Sequence, residues 1–310
     1  MRVISTVSEF QSALDHARLS KTVGLVPTMG YLHEGHGSLI QRANSENDFV
    51  AVTVFVNPLQ FGVNEDFSTY PRDLDRDVEL AKHSGADIVF APTINEMYPN
   101  YPEALPTKVS VSKLSEVLDG KSRPGHFDGV ATVVAKLFAM AGKVSAYFGE
   151  KDFQQLAIIR QLASDLSFPV KVIGCKTIRE ADGLAASSRN VRLTQDNRRA
   201  ALVLYKALQL GKELVESGEN NSITVTRAME SLIKGEVRAE LDYATCVDPK
   251  TLLVPDVIRN DVQLLVAAKF SDVRLIDNLK ANFPEPINRA GGGVQNNDVV
   301  KADSLRLERG

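Results

Sequence analysis

The chain predicts an α/β fold: a mostly parallel sheet with helices on both faces, then a smaller α+β unit. Three observations predict it. Through the first half, short apolar runs alternate with segments of helical period, the order expected of repeated strand–helix–strand units. One run, Phe49 to Val56, is continuous, β-branched and aromatic, as a strand covered on both sheet faces should be. After about residue 175 the pattern changes to long polar helices followed by alternating runs, which places a domain boundary there.

The elements follow in order. Val7 to Leu14 has helical spacing, with Ser8 as a candidate N-cap. Val23 to Val26 is a short strand, and the helical pattern of Ser38 to Ala43 follows it across a loop. Leu74 to Ser84 is helical and Gly85 ends it. Ala86 to Phe90 is a strand, Phe127 to Ala141 a long helix, and Ala146 to Phe148 a strand. Gln154 to Leu166 is a helix and Val170 to Ile173 a strand. In such sheets ligands sit at the carboxyl ends of strands, so the loops after Val26, Val56 and Phe148 draw attention. Beyond residue 175, Asp196 to Ser217 and Ile223 to Lys234 are helical. Leu241 to Val247, Val262 to Ala268 and Val273 to Ile276 are strand-like. From Phe283 to Gly310 two prolines, a Gly triplet and Asn296-Asn297 predict a disordered tail; a docking helix over Val299 to Leu307 is the alternative.

The 310 residues carry a net charge of -3 and no basic block, which argues against a nucleic-acid surface. Cys175 and Cys246 stand far apart with no metal or redox spacing, and read as reduced, buried thiols. No apolar run approaches the ~20 residues of a membrane-spanning helix, and Met1 to Thr6 lacks a signal-peptide core. The expectation is a cytoplasmic protein.

The most informative stretch is Pro27-Thr28-Met29-Gly30-Tyr31-Leu32-His33-Glu34-Gly35-His36. A strand feeds it and a helix follows. A helix N-terminus suits a phosphate, Gly35 allows close approach, and two histidines there can hold a triphosphate and stabilise charge developing on it. Chemistry at nucleotide phosphates, adenylyl transfer most directly, is the reading. Zinc would want further ligands, which His16, His83 and His126 do not offer at suitable spacing. Neither a Walker loop nor a dinucleotide fingerprint is present.

Other segments add to it. Asn57-Pro58-Leu59-Gln60-Phe61 follows the buried strand, where uncharged amides can read hydroxyls and a carboxylate; ordinary turn chemistry is the plain alternative. Gly149-Glu150-Lys151-Asp152 opens a helix, with Lys151 a cation for phosphate, Asp152 a helix cap or ribose ligand, and Gln155 on the face of Lys151. Asp182 to Asn190 offers two hydroxyls and Arg189 for phosphates, in a composition that suits a closing lid. Arg123-Pro124-Gly125-His126 adds a cation and a histidine. Asp73, Asp75 and Asp77 offer one Mg²⁺ ligand or a solvated helix start.

Together these segments resemble a known family. The His33-Glu34-Gly35-His36 stretch is similar to the His-x-Gly-His signature of the nucleotidyltransferase superfamily. With Asn57 to Phe61, Tyr70-Pro71-Arg72, Arg123 to Phe127, Phe148 to Asp152 and Gly183 to Asn190, the chain resembles the pantoate–β-alanine ligases (pantothenate synthetases) from about residue 2 to 279. It departs at Ala186, where members usually carry Leu or Met, and in the tail. The resemblance implies a Rossmann-like nucleotide- and pantoate-binding domain at 1–175, a C-terminal lid domain at 176–282, a tail at 283–310 and a homodimer. It implies an AMP-forming ligase that makes a C–N bond between (R)-pantoate and β-alanine through a pantoyl adenylate, with ATP and Mg²⁺. By position it assigns catalysis to His33, His36 and Lys151. It puts Met29, Gly30, His33, Gly35, His36, Gly149, Lys151, Asp152, Ile178, Ser187, Ser188 and Arg189 on ATP. Gln60, Gln155, Asn57 and His126 fall on the pantoate side, with Gln60 also near β-alanine; apart from the resemblance, Asp77 is the candidate metal ligand among the three acids. A plain nucleotidyltransferase, a class I aminoacyl-tRNA synthetase and a nucleotide-binding module without catalysis are the rival readings.

Overall fold

The computed structural model describes residues 1–62 and 65–284. Its first sheet is built from β1 (Arg2–Ile4), β2 (Val23–Thr28), β3 (Phe49–Val54), β4 (Ile88–Phe90), β5 (Val144–Gly149) and β6 (Val170–Cys175). All pairs are parallel and the order is β1-β4-β3-β2-β5-β6. Helices α1 (Val7–Arg18), α2 (Glu34–Glu46) and α3 (Leu74–His83) connect the early strands. Two four-residue helices, α4 (Ile94–Met97) and α5 (Asp119–Ser122), precede α6 (His126–Ala141), and α7 (Phe153–Asp165) joins β5 to β6. Helices α1, α6 and α7 cover one face, with Phe10, Leu14, Phe138 and Ile159 in its core. Helices α2 and α3 cover the other, with Leu39, Ile40 and Ala81 against Val26 and Val52. Parallel strands covered on both faces carry the continuous apolar runs seen in the sequence.

The second sheet is antiparallel. Strands β7 (Glu240–Val247), β8 (Val262–Phe270) and β9 (Val273–Ala281) run in that order, and α8 (Gln195–Glu216) and α9 (Ser222–Lys234) pack on one face. The opposite face meets the first unit: Leu252 and Leu265 pack with Leu114, Leu118, Phe153 and Ala157. Ion pairs edge this seam, with Arg274 reaching Asp119 of α5 as well as Asp242.

Several boundaries differ from the sequence reading. The cap of α1 is Thr6, whose hydroxyl accepts from Glu9 N–H, so Ser8 is inside the helix. Helix α2 begins at Glu34, not Ser38, because a histidine does the capping. Strand β3 ends at Val54, and β1 was missed because three residues carry no period. Asp152 makes no capping bond. Phe283 packs on the C-terminal core; the expected tail from residue 285, and the alternative helix at 299–307, lie outside the described residues. No helix among the described residues is long and apolar enough to cross a membrane.

Candidate active site

Strands β2 and β5 pair only at Gly24–Ser145 and Leu25–Ala146, although β2 runs on to Thr28 and β5 to Gly149. They splay at their carboxyl ends, where the strand order reverses, and a crevice opens there. The loop after β2 forms one wall. Gly30 (φ +87°) and Tyr31 (φ 50°) turn it back through the left-handed region. A Cβ on Gly30 would sit 2.9 Å from Asp77 Oδ2. The Asp77 carboxylate accepts both Tyr31 N–H (2.7 Å) and Leu32 N–H (2.6 Å) and is fully buried.

His33 caps α2: its Nδ1 accepts Gly35 N–H at 3.1 Å, and His36 Nδ1 accepts His33 N–H at 3.3 Å. A backbone N–H can only donate, so each Nδ1 is unprotonated and each neutral ring carries its proton on Nε2. The rings lie 4.1 Å apart between centroids. Burial, helped by Lys151, lowers the His33 pKa to about 4; burial, His33 and Lys151 hold His36 well below its ordinary value. Two neutral N–H donors therefore stand at the helix start. A Cβ on Gly35 would come 2.8 Å from the His33 ring, so the folded-back cap needs glycine.

The loop after β5 forms the facing wall as a 3₁₀ turn, Glu150–Asp152, with Lys151 Nζ 3.7 Å from Asp152 Oδ1. The adjacent glutamines of α7 diverge. Gln154 is buried and holds Asp119 N–H, Leu114 C=O and Val117 C=O; Gln155 faces the crevice.

The third group hangs on Asn57. Its Oδ1 accepts Leu59 N–H (3.3 Å) and the Tyr98 hydroxyl (2.9 Å), and its Nδ2 donates to Gly129 C=O (3.0 Å) and Gln60 Oε1 (3.1 Å). Backbone groups thus fix the Asn57 amide, which fixes that of Gln60, and Gln60 Nε2 points to the crevice edge, where it donates to Met29 Sδ at 2.9 Å. His126 braces the same turn: its Nε2 accepts from Arg123 Nη1 (3.0 Å), so Nδ1–H donates to Gln60 C=O (2.7 Å). Burial, then Arg123, lowers the His126 pKa to about 4. Arg123 is itself paired with Glu65.

The fourth group is the loop before α8. Ser187 caps a 3₁₀ turn, Ser188–Arg192, and Ser188 Oγ donates to Tyr31 C=O at 3.3 Å, joining the loop to the first wall. Asp66 takes Arg189 at 3.2 Å and Arg192 at 2.8 Å. Burial would raise the Asp66 pKa, but the two guanidinium groups outweigh it and hold the carboxyl below its usual range.

Known proteins extend the comparison. The family model described as pantoate-beta-alanine ligase matches residues 2–280. The chain belongs to the pantoate–β-alanine ligase family. It is 46% identical to the pantothenate synthetase of Caldicellulosiruptor bescii over 280 residues, 90% of this chain and 98% of that protein. It is similar to the crystal structure of pantothenate synthetase from Thermus thermophilus, with TM-score 0.85, 47% identity, and coverage of 92% of this chain and 100% of that one. It is also similar to the pantoate–β-alanine ligase of Francisella tularensis crystallised with a β,γ ATP compound and β-alanine. The TM-score there is 0.74 at 34% identity, covering 90% of this chain and 97% of that one.

For a pantoate–β-alanine ligase the distribution of expected residues is informative. Met29, His33, Gly35, His36, Asn57, Gln60, His126, Gly149, Lys151, Asp152, Gln155, Ile178, Ser187, Ser188 and Arg189 all line one crevice. Gly30 does not: it shapes the turn behind Met29. Asp77 is corrected from metal ligand to loop brace: it is buried, each of its oxygens accepts a backbone N–H, and it does not line the crevice. Asn57 and His126 are corrected from substrate contacts to supports of Gln60, since their polar atoms are spent inside the protein. Arg123 is likewise no free cation. Ala186 packs beside Gly35, and its N–H donates to Ile178 C=O at 2.9 Å. Sequence reasoning missed Asp66, Glu65 and Gly129. A Cβ on Gly129 would come 2.2 Å from Leu59 O, so α6 touches the Gln60 turn directly. Two adjacent acids in a loop give no local sign of such pairing; a glycine inside an apolar helix does hint at close packing.

Proposed function

We propose that this ligase joins (R)-pantoate to β-alanine at the expense of ATP, through a pantoyl adenylate. One observation carries the reading: phosphate-type donors and uncharged amide donors line a single crevice. The phosphate-type donors are the two Nε2–H groups, Lys151 and the Ser187–Arg189 turn. The uncharged amides are Gln60 Nε2 and Gln155, and Val130, Val133, Val134 and Leu137 of α6 line the same crevice. That apolar wall suits the two methyl groups of pantoate. A cation beside the carboxylate would blunt it as a nucleophile; neutral glutamines orient it without doing so.

A carboxylate does not react with an amine at neutral pH, so activation comes first. A pantoate oxygen attacks the α-phosphorus, the bond to the β-phosphate oxygen breaks, and pyrophosphate leaves with the electron pair. His33 and His36 donate hydrogen bonds to oxygens that gain charge, and Lys151 and Arg189 offset it. The β-alanine amine then attacks the acyl carbon, AMP leaves, and the new amide nitrogen loses a proton. Positioning alone can supply ~7–11 kcal/mol of such a barrier. Closure of the second unit as a lid, keeping the mixed anhydride from water, belongs to this reading, as do the division near residue 175, a homodimer and a cytoplasmic setting.

The residues present do not fit a protein-held Mg²⁺. Among the described residues no group of three or more His, Cys, Asp or Glu side chains can hold a metal, and Asp77 is committed elsewhere. In this reading Mg²⁺ enters with the triphosphate, whose oxygens and water supply its ligands. Incubation with ATP, Mg²⁺, pantoate and β-alanine tests the assignment. Pantothenate, AMP and pyrophosphate in equal amounts support it; a product that retains the nucleotide favours a plain nucleotidyltransferase.

A further inference from the structure

We infer that Asn278, on the second sheet, is the positioning residue for Lys151. This rests on the reading of Lys151 as a triphosphate cation. Asn278 is almost fully buried near the end of β9. Its Nδ2 donates to Glu150 C=O at 2.9 Å and to Lys151 C=O at 2.7 Å, the carbonyls on either side of the Lys151 N–Cα bond. Both acceptors are carbonyls, so the amide orientation is set by chemistry. Its Oδ1 accepts Gln263 Nε2 at 2.7 Å. The 3₁₀ turn has no side-chain cap of its own, and the i→i+4 bonds of α7 begin after it. Asn278 gives the turn its side-chain tie, through the first two carbonyls.

The preceding residue extends the tie. Asp277 receives Arg179 at 2.6 and 3.0 Å and its own neighbour's N–H at 2.8 Å. Arg179 follows Ile178 on the segment that leads to Ser187, and stacks on Tyr205 with its guanidinium carbon 3.8 Å from the ring centre. One dipeptide of the second sheet thus holds two crevice-lining segments. An asparagine that only docked the units would need no aim at Lys151; bonds to the two flanking carbonyls fix where that side chain starts.

The test is a double-mutant cycle on Asn278→Asp and Lys151→Ala, read by pantoate-dependent pyrophosphate exchange per folded protein. Asn278→Asp replaces the shared donor with an oxygen facing two carbonyls. It should lower kcat/KM for ATP on the order of 10- to 100-fold, the cost of small misplacement, and leave KM for β-alanine unchanged. In the Lys151→Ala background it should change nothing further. Should Asn278→Asp not fold, Asn278→Ser, which keeps one donor, carries the same cycle with a smaller loss. Equal losses in both backgrounds, or a matching change in KM for β-alanine, would overturn the inference. Lys151→Ala with full exchange would instead overturn the reading of Lys151 itself.

Discussion

At the residue scale, the crevice works through neutral donors held by the backbone. His33 and His36 both spend Nδ1 on an N–H of their own turn, which leaves Nε2–H for a ligand at any pH near neutral. His36→Ala should keep the fold and lose adenylation by ~10²–10³, the usual cost of one such donor. A folded variant that retained a tenth of wild-type turnover would exclude this role. The same rings predict an acid-side loss of stability. His33 and His126 titrate near 4 in the folded chain against an ordinary 6.5. From pH 6.5 down to 4 the unfolded chain takes up protons on these rings that the folded chain refuses, so their contribution to stability is level above 6.5 and falls through that window. Melting temperature should drop accordingly, with a shallower slope in His126→Gln; identical slopes would remove His126 from the account. What the sequence showed at this scale was which residues meet. Which of them still have free polar atoms was not legible, because that depends on partners such as Tyr98 for Asn57 and Glu65 for Arg123.

At the element scale, the parallel sheet was legible because buried parallel strands read as unbroken apolar runs, as Phe49 to Val54 does. The start of α2 was not. Gly35 and Gly37 dilute the helical pattern, and the cap is a histidine instead of Ser, Thr, Asp or Asn. Nor was the approach of α6 to the turn at Pro58–Gln60, which Gly129 permits. Gly129→Ala would push Leu59 and Gln60 away from the helix. KM for pantoate should rise at least on the order of 10-fold, in line with the cost of misplacing a reactant, while the apparent affinity for ATP stays near wild type. A rise confined to ATP would show that the Gln60 turn serves the other side of the crevice.

At the scale of the whole molecule, two sheets of different kind meet along an apolar seam, and their loops close around one crevice. Asp66 contacts Arg189 across 123 positions of chain, and Asn278 reaches Lys151 across 127. Pairings so distant leave no periodic trace, which is why the parts of Asp66 and Asn278 were invisible in the sequence, while Ser187 to Arg189 of the second unit were legible from their local composition. The central claim is that this assembled crevice activates the acid before the amine arrives. Exchange of labelled pyrophosphate into ATP tests it most directly. The account predicts exchange with pantoate present and β-alanine absent, with none when pantoate is omitted. Exchange without pantoate, or release of ADP and phosphate in place of AMP and pyrophosphate, would contradict it.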